Sequence, residues 1–108
     1  MLTTEAKKIL KVFAEELKEL PVKISIEGHT DATPTKKGKL GNWELSTARA
    51  LSAMTFLENQ GVPSQKIINV SGYADNYPLF PENPYDPRNR RITLTIHYNN
   101  HTLATNTY

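Results

Sequence analysis

The sequence predicts an α+β domain in which two helices pack on one face of a small mixed β-sheet, in the order helix, strand, helix, strand, strand. Two long segments repeat apolar residues every three or four positions, the pattern of a helix with one buried face. Three shorter segments alternate apolar and polar residues, the pattern of a half-buried strand. With 108 residues the chain can bury one such core. We predict a domain over residues 1–98 and a polar, flexible tail over residues 99–108.

The first helix is predicted over residues 4–20, because its apolar side chains recur at helical spacing. Thr3 or Thr4 can accept a hydrogen bond from the first turn as the N-cap. Pro21 ends the helix, since proline cannot continue it.

The first strand follows, with Val22, Ile24 and Ile26 on one face and polar residues on the other. It ends in the run "GHTD", residues 28–31. Gly28 is expected to permit a close backbone approach, because glycine has no side chain. By alternation His29 lies on the polar face.

The second helix is predicted over residues 43–60. Asn42 is predicted as the N-cap, and Gly61 suits the left-handed position after a helix. Because a right-handed crossover joins strand, helix and strand, the first two strands should be parallel.

The second strand is predicted over residues 66–73, with Ile68 and Val70 on one face. A loop of about 17 residues with four prolines, residues 74–90, leads to the last strand, residues 91–98. Loops of this length in a compact domain are often functional.

Composition excludes several classes of protein. A net charge of +2 with dispersed lysines and arginines argues against nucleic-acid binding. The absence of cysteine excludes disulfides and thiolate chemistry. No run of 18 apolar residues is present, and the N-terminus has no hydrophobic signal region. We therefore expect the chain as given neither to span a membrane nor to carry an export signal.

The sequence does not support a metal site at "GHTD". His29 and Asp31 would offer two ligands, whereas zinc needs three or four. The other histidines, His97 and His101, lie in the last strand and the tail. We predict no metal and no cofactor.

Catalysis also lacks a complete set of residues. A pair of carboxylates would need Asp75 or Asp86 beside Asp31. A Ser/His/Asp triad can be assembled only on paper, from Ser46, His29 and Asp75, and the motif GxSxG is missing. We predict no catalytic residues.

A binding site made by Asp31 and Arg49 fits the sequence better. Arg49 lies about two turns into the second helix, and its side chain can reach back to the end of the first strand. Asp31 would bind an ammonium group and Arg49 a carboxylate, which together recognise a zwitterionic amino acid. Backbone N–H groups at the helix start near Asn42 would add hydrogen-bond donors for a second anionic group. The alternative is that Asp31 and Arg49 only pair with each other.

Four motifs follow one another in the sequence: "IEGHTD", "NWELSTARA", "GYADNYPL" and "NRRI". Together they resemble the OmpA-like peptidoglycan-binding domain, and the resemblance runs from Thr4 to Tyr98. It is most similar to the MotB branch of that family, the flagellar stator subunits, because a longer loop precedes the second helix and Trp follows Asn.

The resemblance implies an OmpA-like α/β sandwich that binds the peptidoglycan stem peptide without catalysis, typically through meso-diaminopimelate. It assigns ligand contacts to Asp31 and Arg49. Arg90 and Arg91 match positions that are structural or peripheral. Positions that shape the site map onto Thr30, Asn42, Leu45 and Ser46.

The resemblance also implies a periplasmic domain of a longer protein. That protein would be anchored in the inner membrane, form a homodimer and work with a stator partner. The family's first strand is missing here, so the last strand is expected to be an exposed edge. Two alternatives remain: an outer-membrane tether of the OmpA or Pal kind, and a wall hydrolase that uses Asp31, His29 and an acid from the long loop.

Overall fold

The computed structural model describes residues 2–98 and 101–107. It confirms the predicted α+β class and the order of the first five elements. The main elements are α1 (Thr4–Glu19), β1 (Lys23–His29), α2 (Lys39–Asn59), β2 (Ile67–Gly72), β3 (Arg91–Tyr98) and β4 (His101–Thr107); short 3-10 turns cover Ser64–Lys66 and Pro87–Asn89.

The four strands form one sheet in the order β2, β1, β3, β4. The predicted parallel pairing of β1 with β2 is confirmed, and β3 is antiparallel to both of its neighbours. Neither helix in the described part of the chain is long and apolar enough to cross a membrane.

Both helices bury their apolar faces against one face of the sheet. The core holds apolar side chains of both helices and of the central strands β1 and β3, all of them almost wholly buried. Its largest members are Leu10, Leu17, Ile24, Ile26, Leu57 and Leu94.

Two glycines let α2 lie close on the sheet. Gly28 of β1 and Gly72 of β2 are neighbours in the register. A Cβ on Gly28 would lie 1.9 Å from the backbone oxygen of Ser46, and one on Gly72 would lie 2.5 Å from the backbone nitrogen of Thr47. The expectation that Gly28 permits a close backbone approach is therefore confirmed, and this contact places α2 beside the end of β1.

The expectation of a flexible tail over residues 99–108 is wrong for residues 101–107, which form β4 against β3. Consequently β3 is an inner strand and not the exposed edge that we expected. The tail has no clean apolar alternation, and the strand instead forms because it satisfies the open backbone groups of β3. Residues 99, 100 and 108 lie outside the described residues.

Two smaller expectations also fail. Helix α2 begins at Lys39 and not after Asn42. Gly41 therefore lies inside the helix, where the absence of a side chain leaves room for Thr35 to pack against it. Ile68 does not share a face with Val70: a register shift beside it leaves Ile68 57% exposed, and Ile67 packs on the core instead.

Candidate functional site

A cleft of about 270 Å³ opens where β1 ends, beside the start of α2. The hydrogen bond from Thr30 N to Ala74 O and that from Ala32 N to Pro84 O hold this segment against the long loop. The cleft brings together five of the six predicted ligand residues, along with Arg90. It is lined by Thr30, Asp31, Thr33, Pro34, Thr35, Asn42, Leu45, Arg49 and Arg90.

Asp31 is buried at the back of the cleft, with 4% of its surface exposed. Its Oδ1 accepts a hydrogen bond from Thr33 N at 2.9 Å, and its Oδ2 accepts one from Arg90 Nη1 at 2.5 Å. Burial alone raises the pKa of Asp31, but the hydrogen bonds from Thr33 and Arg90 outweigh it and lower the pKa below its ordinary value. Asp31 is therefore a carboxylate near neutral pH.

Arg49 is half-buried and reaches the end of β1, where Nη1 donates to His29 O at 3.1 Å. No hydrogen bond or ion pair joins it to Asp31 in the described structure. Burial and the charge of Arg90 lower the pKa of Arg49, while Asp31 raises it. The alternative that Asp31 and Arg49 simply pair with each other is thus not what the structure shows, since the partner of Asp31 is Arg90.

The cleft carries a positive excess, because its lining contains two guanidinium groups, of Arg49 and Arg90, and one carboxylate, of Asp31. A guanidinium has five N–H donors, and Arg49 spends one of them on His29 O. A ligand carboxylate can accept from the others bidentately. The oxygens of Asp31 accept hydrogen bonds from Thr33 and Arg90, and because a carboxylate has about four lone-pair sites, an ammonium group can add to this site.

The remaining predicted cleft residues differ in their roles. Thr30 is 3% exposed, and its Oγ1 is buried without a partner in the part of the chain described. Asn42 is buried within α2 and is not the N-cap, so the backbone donors expected there are used in the helix. Leu45 is 39% exposed and supplies an apolar wall.

Ser46 and Arg91 lie outside the cleft. Ser46 is fully buried; its Oγ donates to Trp43 O and accepts from Ala74 N, so it joins α2 to the long loop. Arg91 points to the opposite face of the sheet, where Nη2 donates to Tyr77 O. Arg90, which we expected to be structural or peripheral together with Arg91, lines the cleft and contacts Asp31.

Asn89 organises the long loop and was missed at the level of sequence. It is fully buried; Oδ1 accepts from Phe80 N, and Nδ2 donates to the carbonyl groups of Asn83 and Pro84. Because Arg90 directly follows Asn89, these hydrogen bonds fix the backbone position from which the Arg90 side chain extends. An asparagine next to an arginine pair in a proline-rich loop gives no periodic signal.

We predict that Asn89→Ala lowers the free energy of unfolding by about 2 kcal/mol, because the fully buried amide is removed and the partly buried Phe80 N loses its acceptor. Urea unfolding followed by circular dichroism measures the loss. The matched control is Asn83→Ala, an exposed asparagine of the same loop, which should change stability by less than about 0.5 kcal/mol. Equal losses in the two variants would contradict the role given to Asn89.

The structure does not assemble the catalytic sets considered from the sequence. Ser46 Oγ hydrogen-bonds to Trp43 O and Ala74 N, whereas the His29 ring stacks on Tyr73. The hydrogen bonds from Arg88 lower the pKa of Asp86 to about 2, which makes it a poor general acid. Among the described residues, no three His, Cys, Asp or Glu side chains form a group suited to a metal ion.

Comparison with known proteins identifies the family of this chain. The OmpA family model matches residues 1–91, a range that contains every cleft residue. The chain belongs to the OmpA family. The family prediction from the four motifs is thereby confirmed.

Three curated relatives are similar to this OmpA-family chain. The putative truncated flagellar export/assembly protein LafU and Motility protein B, both of Escherichia coli K12, are 42% and 40% identical over 90 residues, 83% and 82% of this chain. The peptidoglycan-associated lipoprotein of Buchnera aphidicola is 39% identical over 75 residues, 67% of this chain. The chain spans 43%, 29% and 41% of the lengths of these proteins.

Solved structures share the OmpA-like fold. The C-terminal domain of Helicobacter pylori MotB superimposes with a TM-score of 0.79 at 25% identity, covering 92% of this chain and 78% of that one. Another structure of the H. pylori protein is described as its periplasmic domain. The predicted similarity to the MotB branch is confirmed by both comparisons.

Proposed function

We propose that this domain binds the peptidoglycan stem peptide through a zwitterionic amino-acid end of the diaminopimelate type. The observation that carries the proposal is the cleft, in which a buried carboxylate and two guanidinium groups face one small space. The relatives of the chain support a role in attachment to the cell wall, because one of them is a peptidoglycan-associated lipoprotein.

Each group of the ligand has a matching partner. Arg49 receives the ligand carboxylate with its free donors, and Arg90, which also lines the cleft, adds a second positive charge. Asp31 receives the ammonium group, and the unpartnered hydroxyl of Thr30 adds a hydrogen bond. Asn42 and Leu45 shape the wall on the α2 side.

We propose that binding is not accompanied by catalysis. The ionised Asp31 is held by Thr33 and Arg90, so it is not set up to donate a proton. Incubation with purified cell-wall sacculi tests this: no soluble muropeptides should be released, and their release would favour the hydrolase alternative.

The domain would anchor a longer, MotB-like protein to the wall. We propose a periplasmic location, anchoring of the full-length protein in the inner membrane, a homodimer and a membrane stator partner. The match to Motility protein B supports this assignment. The match to a lipoprotein supports the tether alternative, and the gene sequence upstream decides between them: a single transmembrane helix supports the stator, a lipoprotein signal the tether.

We predict that Asp31→Asn and Arg49→Ala each lower the affinity of the domain for sacculi, measured by co-sedimentation, by roughly 10- to 150-fold. Each removes charge-assisted hydrogen bonds to the ligand. Asp31→Asn preserves the shape of the side chain in its buried position. Circular dichroism confirms that each variant is folded.

The matched controls are Glu16→Gln and Lys11→Ala, which remove one charge each from the exposed face of α1. They should sediment within twofold of the parent. If a folded Asp31→Asn or Arg49→Ala variant sediments as well as these controls, the site assignment is wrong.

A further inference from the structure

A second pocket of about 450 Å³ lies on the sheet face opposite the helices, and the proposed function does not use it. We call it the sheet-face pocket. One wall is formed by Tyr73, which directly follows β2, and by Tyr77 and Leu79 of the long loop. The sheet supplies the other lining residues, which are Glu27, His29, Arg91, Thr93, Thr105 and Thr107.

The wall of the sheet-face pocket is aromatic and open to solvent. The rings of His29 and Tyr73 stack with their centroids 5.6 Å apart, and Tyr77 meets Tyr73 edge-on at 5.4 Å. Tyr77 is 61% exposed. Exposed tyrosines of this kind offer a flat apolar ring together with a hydroxyl group, which suits a ligand with one apolar face and polar edges.

The polar groups of the pocket favour an uncharged ligand. Glu27 and Arg91 carry opposite charges, and burial together with the charge of Arg91 lowers the pKa of His29 to about 4, so that its ring is neutral. His29 is 4% exposed, and its Nδ1 is buried without a partner in the part of the chain described, as is Nε of Arg91. Unpaired nitrogens of this kind favour an occupant that supplies hydrogen bonds.

The sheet-face pocket and the cleft lie on either side of the same two strand ends. At the end of β1, His29 lines the pocket while Thr30 and Asp31 line the cleft; at the start of β3, Arg91 lines the pocket and Arg90 the cleft. His29 and Asp31 are two residues apart, roughly 7 Å along an extended chain. One branched polymer can therefore contact both sites.

We propose that the sheet-face pocket binds an N-acetylated sugar of the glycan strand to which the stem peptide is attached. This inference rests on the proposed function for its choice of polymer. Sugar rings have apolar faces that pack on tyrosine, and their hydroxyl and acetamido groups both donate and accept hydrogen bonds. The neutral, aromatic and hydroxyl-lined pocket matches these properties, whereas the charged cleft does not.

The test uses a tetramer of N-acetylglucosamine, which carries no peptide, and titrates it into the ¹⁵N-labelled full chain. We expect the amide signals of Tyr73, Tyr77, Thr93 and Thr105 to shift. Tyr77→Ala should weaken binding at least tenfold. Tyr85→Ala is the matched control, because Tyr85 is 61% exposed in the same loop but does not line the pocket, and it should bind within twofold of the parent.

The result separates this inference from the proposed function. If the tetramer does not shift the pocket signals, or if Tyr77→Ala binds as well as Tyr85→Ala, the sugar site is wrong. A diaminopimelate-containing tripeptide tests the cleft in parallel, and Asp31→Asn should weaken only the tripeptide. Loss of tetramer binding in Asp31→Asn would overturn the independence of the two sites.

Discussion

Gly28→Ala is expected to lower the free energy of unfolding by about 3 kcal/mol or more, which corresponds to a fall of roughly 15 °C in the melting temperature. The added Cβ would lie 1.9 Å from the carbonyl oxygen of Ser46 and 3.2 Å from the backbone nitrogen of Ala50. Both atoms belong to the backbone of α2, so no side-chain rotation can relieve the clash. The helix must move away from β1.

Thermal unfolding followed by circular dichroism measures this loss. The control is Gly38→Ala, at a glycine with no atom within 4 Å of its Cβ position and a φ of 62°. It should cost less than Gly28→Ala, about 1 to 2 kcal/mol, because only the backbone strain of an alanine at a φ of 62° and a ψ of −138° opposes it. If Gly28→Ala costs no more than Gly38→Ala, the contact between β1 and α2 is looser than described. A variant that fails to fold agrees with the expectation.

The predictable part of the fold is the part with periodic apolar patterns. Strand β3 was predicted at its observed limits, because its apolar residues alternate without interruption. Strand β4 was missed, since it forms by pairing with the backbone of β3 and not by burying a regular face. The start of α2 was misplaced, because Gly41 indicates a loop in sequence and is tolerated in the helix by its packing against Thr35.

The residues that line the cleft could also be predicted only in part. Chain order places Asp31 at a strand end and Arg49 on the next helix, and both line the cleft. The pairing of Asp31 with Arg90, 59 residues away, depends on the path of a proline-rich loop. No local pattern encodes that path, so Arg90 could not be separated from Arg91 before the structure was known.

Stability should fall by roughly 2 to 3 kcal/mol between pH 7 and pH 4.5 because of His29 alone. Its ring is buried between Tyr73 and the sheet, and burial together with the charge of Arg91 lowers its pKa from 6.5 to about 4. Glu27, 3.7 Å from Nε2, would favour protonation but also interacts with Arg91. Between these two pKa values the unfolded chain binds the proton and the folded domain does not. The stabilisation is therefore complete above about pH 6.5 and is lost as the pH falls towards 4.

Urea unfolding of the parent and of His29→Phe at both pH values measures this contribution. Phenylalanine retains a ring against Tyr73 but cannot be protonated, so the pH-dependent loss in His29→Phe should be smaller than that of the parent by the predicted amount. His97→Phe is the control, because His97 lies on the same sheet face but is less buried and is hydrogen-bonded to Ser25. It should retain the pH dependence of the parent. If His29→Phe and the parent lose the same stability, a buried neutral His29 is not what makes the domain sensitive to acid.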